Sequence, residues 1–172
     1  MFLNSVKKYI PSHGLEDTVY EIRKMLADPY EIKSARDIAE NILYKVRDRM
    51  PELEMKAIVE YVRDHFRYTG DPTGIEYIKT PSEMVSELKL MGYVVGDCDD
   101  VSVLLASILV SVDIPVRIIT ITTADSPTFD YNHIYIQGFD KVKGIWYNLD
   151  GTLRGKKWND KVVHKRIKIW QI

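Results

Sequence analysis

The sequence is poor in cysteine and in long apolar runs. Cys98 is the only cysteine among 172 residues, which excludes an internal disulfide framework and a zinc site made of several cysteines. Asp113 and Arg117 interrupt the one segment that approaches the length of a membrane span. The stretch from Met1 to Lys8 has lysines after very few apolar residues, unlike a signal peptide. We therefore expect a soluble, cytoplasmic protein, in which a free thiol stays reduced.

An excess of charge of either sign is also missing. The chain has 24 lysines and arginines against 25 aspartates and glutamates, for a formal net charge of −1. This balance gives no electrostatic reason to expect nucleic acid or a membrane surface as a partner. The locally basic segment from Arg154 to Lys168 is interpreted as a charged edge strand.

Hydrophobic residues make up 45% of the chain. This composition is typical of one domain with a sizeable core. We predict a single domain over residues 1–172, with a helical lobe over about 1–91 and a core helix and sheet over about 92–172.

The most apolar stretch runs from Val101 to Val112 and follows the sequence Gly96-Asp97-Cys98-Asp99-Asp100. Glycine and aspartate before the cysteine are typical of a turn and a helix cap, which places Cys98 at the start of a helix. A helix that is apolar nearly all round is a buried one. Unpaired N–H groups and the helix dipole stabilise a thiolate there, so we expect a lowered pKa for the Cys98 thiol. The dipole also favours the two acids that follow, and their charges oppose the thiolate.

Helical spacing of apolar residues predicts further helices before Cys98. The first runs from Leu15 to about Ala27. The second begins at Pro29, with Asp28 as its cap and Glu31 reaching back, and ends near Arg49. Two more are expected, one opened by Pro51 and a short one capped by Thr80. The predicted buried stripe of the third helix comprises Leu53, Ile58, Val59, Val62 and Phe66.

Residue preferences change to β-branched types after Pro115. Strands are predicted over Val116 to Thr123, Asn132 to Phe139, Ile145 to Asp150 and Val162 to Ile172. An irregular loop is predicted over Tyr68 to Gly74, which is rich in glycine, proline and aspartate. Helices followed by antiparallel strands predict an α+β fold, in which a helical N-terminal lobe and a central Cys-bearing helix pack against an antiparallel β-sheet.

The two middle strands carry a histidine and an aspartate. If they form a hairpin with Gly138 opposite Ile145, counting places His133 opposite Asp150, at roughly 4.5–5.5 Å between Cβ atoms. A slip of two residues would keep the pair on one face as diagonal neighbours, and a slip of one would separate it. With the core helix packed on that same face, Cys98 would meet the other imidazole nitrogen.

This set of residue types supports acyl transfer through a thioester. His133 would take the thiol proton of Cys98, and Asp150 would fix the tautomer and orientation of the ring. The predicted function is therefore that of a thiol-dependent acyl transferase or amide hydrolase with a Cys-His-Asp triad. The catalytic residues are Cys98, His133 and Asp150, and neither a cofactor nor a metal is expected.

Four motifs together resemble the transglutaminase-like cysteine-enzyme superfamily, whose core is papain-like. They are Gly96-x-Cys98 opening an apolar helix, Asp113-Ile-Pro-Val-Arg117 leading into a strand, Asn132-His133-Ile-Tyr, and Trp146-x-x-Leu-Asp150-Gly-Thr152. The segment from Arg67 to Pro81, with Gly-Asp-Cys-Asp-Asp, is most similar to small stand-alone members from phages and prophages. The resemblance implies a protein or peptide substrate.

The sequence also departs from animal-type transglutaminases. Asp99 stands where those enzymes have an aromatic residue, which makes hydrolysis at least as well supported as protein crosslinking. Asp113 replaces a common glycine and Gly151 a frequent proline. Aspartate can take the left-handed conformation that the glycine would supply. The second oxyanion donor is open among three tyrosines, Tyr68, Tyr77 and Tyr93.

Two other functions are compatible with the sequence. The fold could serve as a phage or prophage structural or assembly protein with little or no catalysis, with virion components as partners and a virion-associated location. Alternatively, Cys98, His133 and Asp150 could form a metal site, although a single cysteine is atypical of a structural zinc site. The sequence leaves the oligomeric state open.

Overall fold

A computed structural model describes the backbone of residues 7–9 and all of residues 14–71 and 76–172. Most of the segment from Met1 to Lys8, and part of the loop predicted over Tyr68 to Gly74, lie outside the described residues.

The helices begin where the sequence predicts. They are α1 (Leu15–Ala27), α2 (Pro29–Leu43), α3 (Pro51–His65), α4 (Pro81–Met91) and α5 (Cys98–Val110). Capping side chains accept hydrogen bonds from backbone N–H groups that lack helical partners: Asp28 from Tyr30 at 2.9 Å, and Thr80 from Glu83 at 3.4 Å. The helix starts therefore follow from local chemistry.

Three details of the helical prediction are wrong. The second helix ends at Leu43 rather than near Arg49. Glu31 does not reach back to its own helix, because its carboxylate accepts hydrogen bonds from the N–H and the hydroxyl of Ser82 at the start of α4. In α3, Leu53 is exposed and Met55 is buried instead. In each case a tertiary contact or the solvent overrides the local pattern.

The strands β5 (Val116–Thr123), β6 (His133–Asp140), β7 (Ile145–Leu149) and β8 (His164–Gln171) form an antiparallel sheet in the order β7-β6-β5-β8. Strand β8 is an edge strand, but it includes only the last five residues of the basic segment from Arg154 to Lys168, for which an edge strand was predicted; residues 154–163 are not strand. The turn from α5 into β5 uses Asp113, whose φ of 62° is the left-handed conformation expected there. The α+β fold class is confirmed.

Short strands in the helical lobe escaped the sequence prediction. They are β1 (Lys7–Tyr9), β2 (Phe66–Tyr68), β3 (Glu76–Ile78) and β4 (Val94–Gly96). Strand β2 pairs in parallel with β4, which places Tyr68 beside Gly96. Strands of three residues are too short to show a hydrophobic period.

Helix α5 is the centre of the core, since nearly all of its residues are buried. It packs on the sheet face that carries Ile134, Ile136 and Leu149. A second, smaller cluster lies on the opposite face and includes Tyr135 and Val162. His133 precedes Ile134 and Asp150 follows Leu149, so the side chains of His133 and Asp150 point to the face opposite α5. The expectation that α5 packs on their face is therefore wrong.

Candidate active site

Cys98 is the first residue of α5. Asp97 is the N-cap, and its carboxylate accepts a hydrogen bond from the Asp99 N–H at 3.2 Å. The Cys98 side chain is half-buried. The thiol thus stands at the N-terminal end of a buried helix, as predicted.

The N-terminus of α5 lies against a free edge of β6. Phe139 donates to Pro115 on the β5 side, so alternation points the N–H and C=O of Ile134 to the opposite edge. There β7 has already ended, because its last residue, Leu149, pairs with Ile136. The hydroxyl of Ser102 donates to the Ile134 carbonyl at 3.3 Å, and the Ile134 N–H points to the Cys98 sulfur. The sulfur therefore lies next to the backbone that carries His133.

His133 and Asp150 are joined by a hydrogen bond of 2.7 Å between Nε2 and Oδ2. The register that joins them differs from the predicted one by two residues: Asp140 lies opposite Ile145, and Gln137 opposite Asn148. The two side chains are thus diagonal neighbours on one face. The face on which the two side chains lie was predicted correctly, whereas the pairing at the turn was not.

The Asp150 carboxylate is fully engaged. Oδ1 accepts hydrogen bonds from the Thr152 N–H at 2.9 Å and the Thr152 hydroxyl at 2.7 Å, which leaves Oδ2 for His133. Burial alone would raise the pKa of Asp150, but the hydrogen bond and charge of His133 and the Thr152 bonds outweigh burial and lower it. Asp150 is thus held as a carboxylate.

The pKa of the Cys98 thiol is raised well above its usual value, contrary to the expectation from the helix dipole. Burial is the largest cause, followed by the charges of Asp97 and Asp99; the Ile134 N–H acts in the opposite direction. No hydrogen bond joins the Cys98 sulfur to the His133 ring, two residues that the structure describes in full. Burial and the neighbouring acids therefore both favour the neutral thiol over the thiolate.

The three candidate oxyanion donors differ in position. Tyr68 is 61% exposed. Partial burial raises the pKa of its phenol to about 12, and Cys98 and Asp97 act in the same direction. Tyr93 lies beneath the guanidinium of Arg67. Tyr77 is half-buried in β3, where its N–H donates to Asp71. Of the three hydroxyls, that of Tyr68 is the one whose environment includes Cys98.

Within the described ranges, the residues suited to hold a metal ion are acidic. They form two groups, one of Asp71, Glu76 and Asp97 and one of Asp97, Asp99 and Asp100. Cys98, His133 and Asp150 do not form such a group among the described residues. A metal site on those three residues stays a hypothesis of the sequence.

A cleft of about 530 Å³ opens beside His133 and Asp150. Its walls include apolar Leu153, Val162 and Val163. The cleft leads along the sheet face that carries the imidazole, so a substrate lying in it would reach the ring.

The chain matches the model of a known protein family. The family model described as the transglutaminase-like superfamily matches residues 25–151, more than half of the chain. The chain belongs to the transglutaminase-like superfamily. Comparison of this transglutaminase-like chain with curated proteins yields no significant match.

Solved structures share the fold at low sequence identity. A candidate cysteine protease from Cytophaga hutchinsonii is 14% identical with a TM-score of 0.54, over 97% of this chain and 58% of that one. A candidate protease from Parabacteroides distasonis is 13% identical with a TM-score of 0.53, over 90% of this chain and 30% of that one. Legionella pneumophila LapG, also solved with calcium bound, is 19% identical with a TM-score of 0.54, over 89% and 87% of the two chains. This chain thus spans less than two thirds of the first protein and less than a third of the second.

Some site residues of this transglutaminase-like chain were not found from the sequence. Arg63 of α3 donates to the carbonyl of Asp150, which is 87 positions away. Glu76 and Asp71 lie close to Asp97. Their sequence context carries no motif, so a structure was needed to find them.

Across the described helices, none combines the length and the hydrophobicity that a membrane crossing requires.

Proposed function

We propose that this protein is a cysteine hydrolase of amide bonds in peptides or proteins, with Cys98 as nucleophile, His133 as general base and acid, and Asp150 as orienting carboxylate. The observation that carries the proposal is the 2.7 Å bond between His133 Nε2 and Asp150 Oδ2. This bond occupies Nε2 and leaves Nδ1 for the thiol. Since the Cys98 sulfur lies at the N–H of Ile134, the residue after His133, Nδ1 is proposed to meet the sulfur in the reacting complex.

The first half-reaction forms a thioester. Nδ1 of His133 removes the thiol proton as the Cys98 sulfur attacks the amide carbonyl, since burial and neighbouring acids keep the thiol neutral beforehand. The tetrahedral oxyanion accepts from the Cys98 N–H at the start of α5, which has no helical partner. The C–N bond then breaks, and the imidazolium gives its proton to the departing amine.

The second half-reaction frees the enzyme. The neutral imidazole takes a proton from water, the hydroxide attacks the thioester carbonyl, and the sulfur leaves and regains its proton. An amine in place of water would give acyl transfer. We favour water, because the chain carries Asp99 in place of the aromatic residue after the nucleophile and its fold neighbours include candidate proteases.

The hydroxyl of Tyr68 is proposed as the second oxyanion donor. Pairing of β2 with β4 sets Tyr68 beside Gly96, two residues before the nucleophile. A raised pKa keeps the phenol protonated and able to donate.

The substrate is proposed to be a peptide lying in the cleft beside His133. Leu153, Val162 and Val163 offer an apolar wall, and the charges of Lys156 and Lys161 are offset by Asp125 and Asp160 in the same lining. The cleft therefore suits an apolar side chain. A phage origin, virion partners and a cytoplasmic location stay predictions of the sequence.

Covalent trapping tests the proposal directly. The protein is incubated with a peptide library, and cleavage products and Cys98 acyl adducts are measured by mass spectrometry. Cys98→Ala should abolish both. His133→Gln should abolish turnover, whereas His65→Gln, on α3 away from the site, should leave it unchanged. Cleavage that survives in Cys98→Ala would reject the mechanism.

A further inference from the structure

Arg117 of β5 lies on the sheet face that carries His133, outside the proposed triad. Ile121 pairs with His133, and Arg117 pairs with Gln137 of the same strand, β6. Residues an even number of positions apart along a strand share a face. Four positions correspond to about 13 Å along the sheet. Arg117 is therefore a cation on the same surface as the imidazole, within the reach of a bound peptide.

Two contacts hold the guanidinium of Arg117 in place. Its Nε donates to Gln137 Oε1 at 2.7 Å, and its Cζ lies 4.2 Å from the centroid of the Trp146 ring. Trp146 is itself packed against Phe139, with the ring centroids 4.9 Å apart. The side chains of Arg117, Gln137 and Trp146 are all half-buried. The guanidinium is thus fixed on an aromatic surface, and neither contact uses its two Nη groups.

The hydrogen bonds around Arg117 all run in one direction. Because Nε can only donate, Gln137 presents its oxygen to Arg117 and its nitrogen to Asn148, whose Oδ1 accepts at 2.6 Å. Asn148 is left with its Nδ2 group. Among the residues that the structure describes, none accepts a hydrogen bond from this Nδ2 or from the Nη groups of Arg117. The open groups of the network are therefore donors.

The charge of Arg117 has no anion beside it. Ion pairs within the described ranges do not include Arg117. Burial lowers the pKa of its guanidinium, and the group that acts in the opposite direction is the Tyr135 phenol rather than a carboxylate. Arginine stays protonated in proteins all the same. A cation that has lost part of its water without gaining a counter-charge is stabilised when an anion binds to it.

We propose that Arg117 and Asn148 bind a carboxylate of the peptide substrate, an assignment of the ligand that rests on the proposed hydrolysis. Two N–H groups of a guanidinium fork match the two oxygens of a carboxylate, and the Asn148 amide adds a third donor. An extended chain spans at most about 3.3–3.6 Å per residue. The carboxylate therefore lies about four or more residues from the cleaved bond, either on an acidic side chain or at the end of the peptide.

Small carboxylates test the site without turnover, by nuclear magnetic resonance on the isotope-labelled full chain carrying Cys98→Ala. N-acetylglutamate N-methylamide supplies a side-chain carboxylate, and N-acetylglutamine supplies a terminal one. We expect at least one of them to cause saturable shifts of the Arg117 Nε–H and Asn148 Nδ2 signals at millimolar concentrations. N-acetylglutamine N-methylamide, which has neither carboxylate, should cause none. The probe that binds more tightly identifies the source of the carboxylate.

Arg117→Gln should abolish the shift of the Asn148 signal. Arg166→Gln is the matched control, because Arg166 of β8 also lies over a ring, that of Tyr131, at 4.9 Å from its centroid, and it should leave the shift unchanged. Asn148→Asp keeps the acceptor for Gln137 and places a carboxylate beside Arg117. Its affinity for the probes should fall about tenfold or more, which provides the test if Arg117→Gln does not fold.

Cleavage measurements then connect the site to the substrate. Peptides found by covalent trapping are compared in pairs that differ by Glu against Gln, or by a free against an amidated end. The wild type should favour the carboxylate form by about tenfold in kcat/KM, the factor expected for a hydrogen bond to a charged group, and Arg117→Gln should lose this preference.

The site is overturned if neither carboxylate shifts the two signals, if the neutral probe shifts them equally, or if Arg117→Gln, or Asn148→Asp in its place, binds as tightly as the wild type. Probe binding by a protein that cleaves no peptide would reject the hydrolysis and support the site. Cleavage without preference for the carboxylate form would overturn its part in substrate binding.

Discussion

Arg63 donates hydrogen bonds to the backbone carbonyl of Asp150 and not to its carboxylate. Its Nη2 and Nε donate to the Asp150 carbonyl at 2.7 and 3.1 Å, and Nη1 donates to the carbonyls of Lys156 and Lys157, each at 3.1 Å. Burial is the largest influence on the Arg63 pKa, which it lowers. A side chain of α3 thus fixes the loop after β7, on which the position of the Asp150 carboxylate depends.

Replacing Arg63 by Lys should destabilise the protein by about 1.5–3 kcal/mol, because one ammonium cannot donate to the buried Asp150 carbonyl and to the two partly buried carbonyls at once. Urea unfolding would measure this change. Arg36→Lys, at an exposed pair with Glu40, should leave the free energy of unfolding nearly unchanged. If Arg63 positions Asp150, kcat should fall more than KM changes; an equal loss of stability with unchanged kcat would contradict that role.

The ionised carboxylate of Asp150 should stabilise the folded protein at all but acidic pH. Its pKa is lowered in the folded protein, so its contribution is present above the pKa of the unfolded chain, about 3.9, and is lost as pH falls through the folded value. Unfolding midpoints between pH 2 and 6 should therefore drop more steeply for the wild type than for Asp150→Asn. Parallel curves would show that Asp150 does not gain its charge interactions on folding.

The same Asp150→Asn change should lower kcat by about 10²–10⁴-fold at neutral pH, since an amide no longer holds the imidazole tautomer or its charge. Steady-state cleavage of a peptide identified by trapping would measure the loss. Asp160→Asn, at the far wall of the cleft, is the control and should change KM more than kcat. A fall of less than tenfold for Asp150→Asn would remove Asp150 from the mechanism.

Alkylation of Cys98 should be slow at pH 7 and rise with pH beyond 9. The thiol pKa is raised by burial and by Asp97 and Asp99, and the thiolate is the reactive form. Asp97→Asn keeps an N-cap for α5 and should move the iodoacetamide rate profile to lower pH, while Asp37→Asn should not. A rate that already levels off by pH 7 would instead indicate a preformed thiolate–imidazolium pair.

Gly151→Ala should destabilise the protein by about 1–3 kcal/mol through overpacking. A Cβ there would lie 2.3 Å from Val101 Cγ2 on α5, so the helix and the loop after Asp150 could not both keep their places. Gly70→Ala, which has nothing within 4 Å, is the matched control with little expected change. Chemical denaturation of both variants measures the difference, and equal stabilities would contradict the close approach.

The sequence by itself determined where elements begin and which side chains share a face. Asp28, Thr80 and Asp97 start helices through bonds to residues two or three positions away, and strand alternation alone put His133 and Asp150 on one side. These features depend on neighbouring residues, so a local pattern is sufficient to predict them.

Only the tertiary structure decided the rest. The hairpin register differs by two residues, α5 packs on the face opposite His133, and Arg63 reaches Asp150 across 87 positions. Tertiary packing likewise brings the carboxyl group of Glu76 to that of Asp99. Packing against distant segments selects among arrangements that local preferences leave equally favourable. Burial, which depends on that packing, raises the pKa of the Cys98 thiol, whereas the helix dipole alone predicted a lowered one.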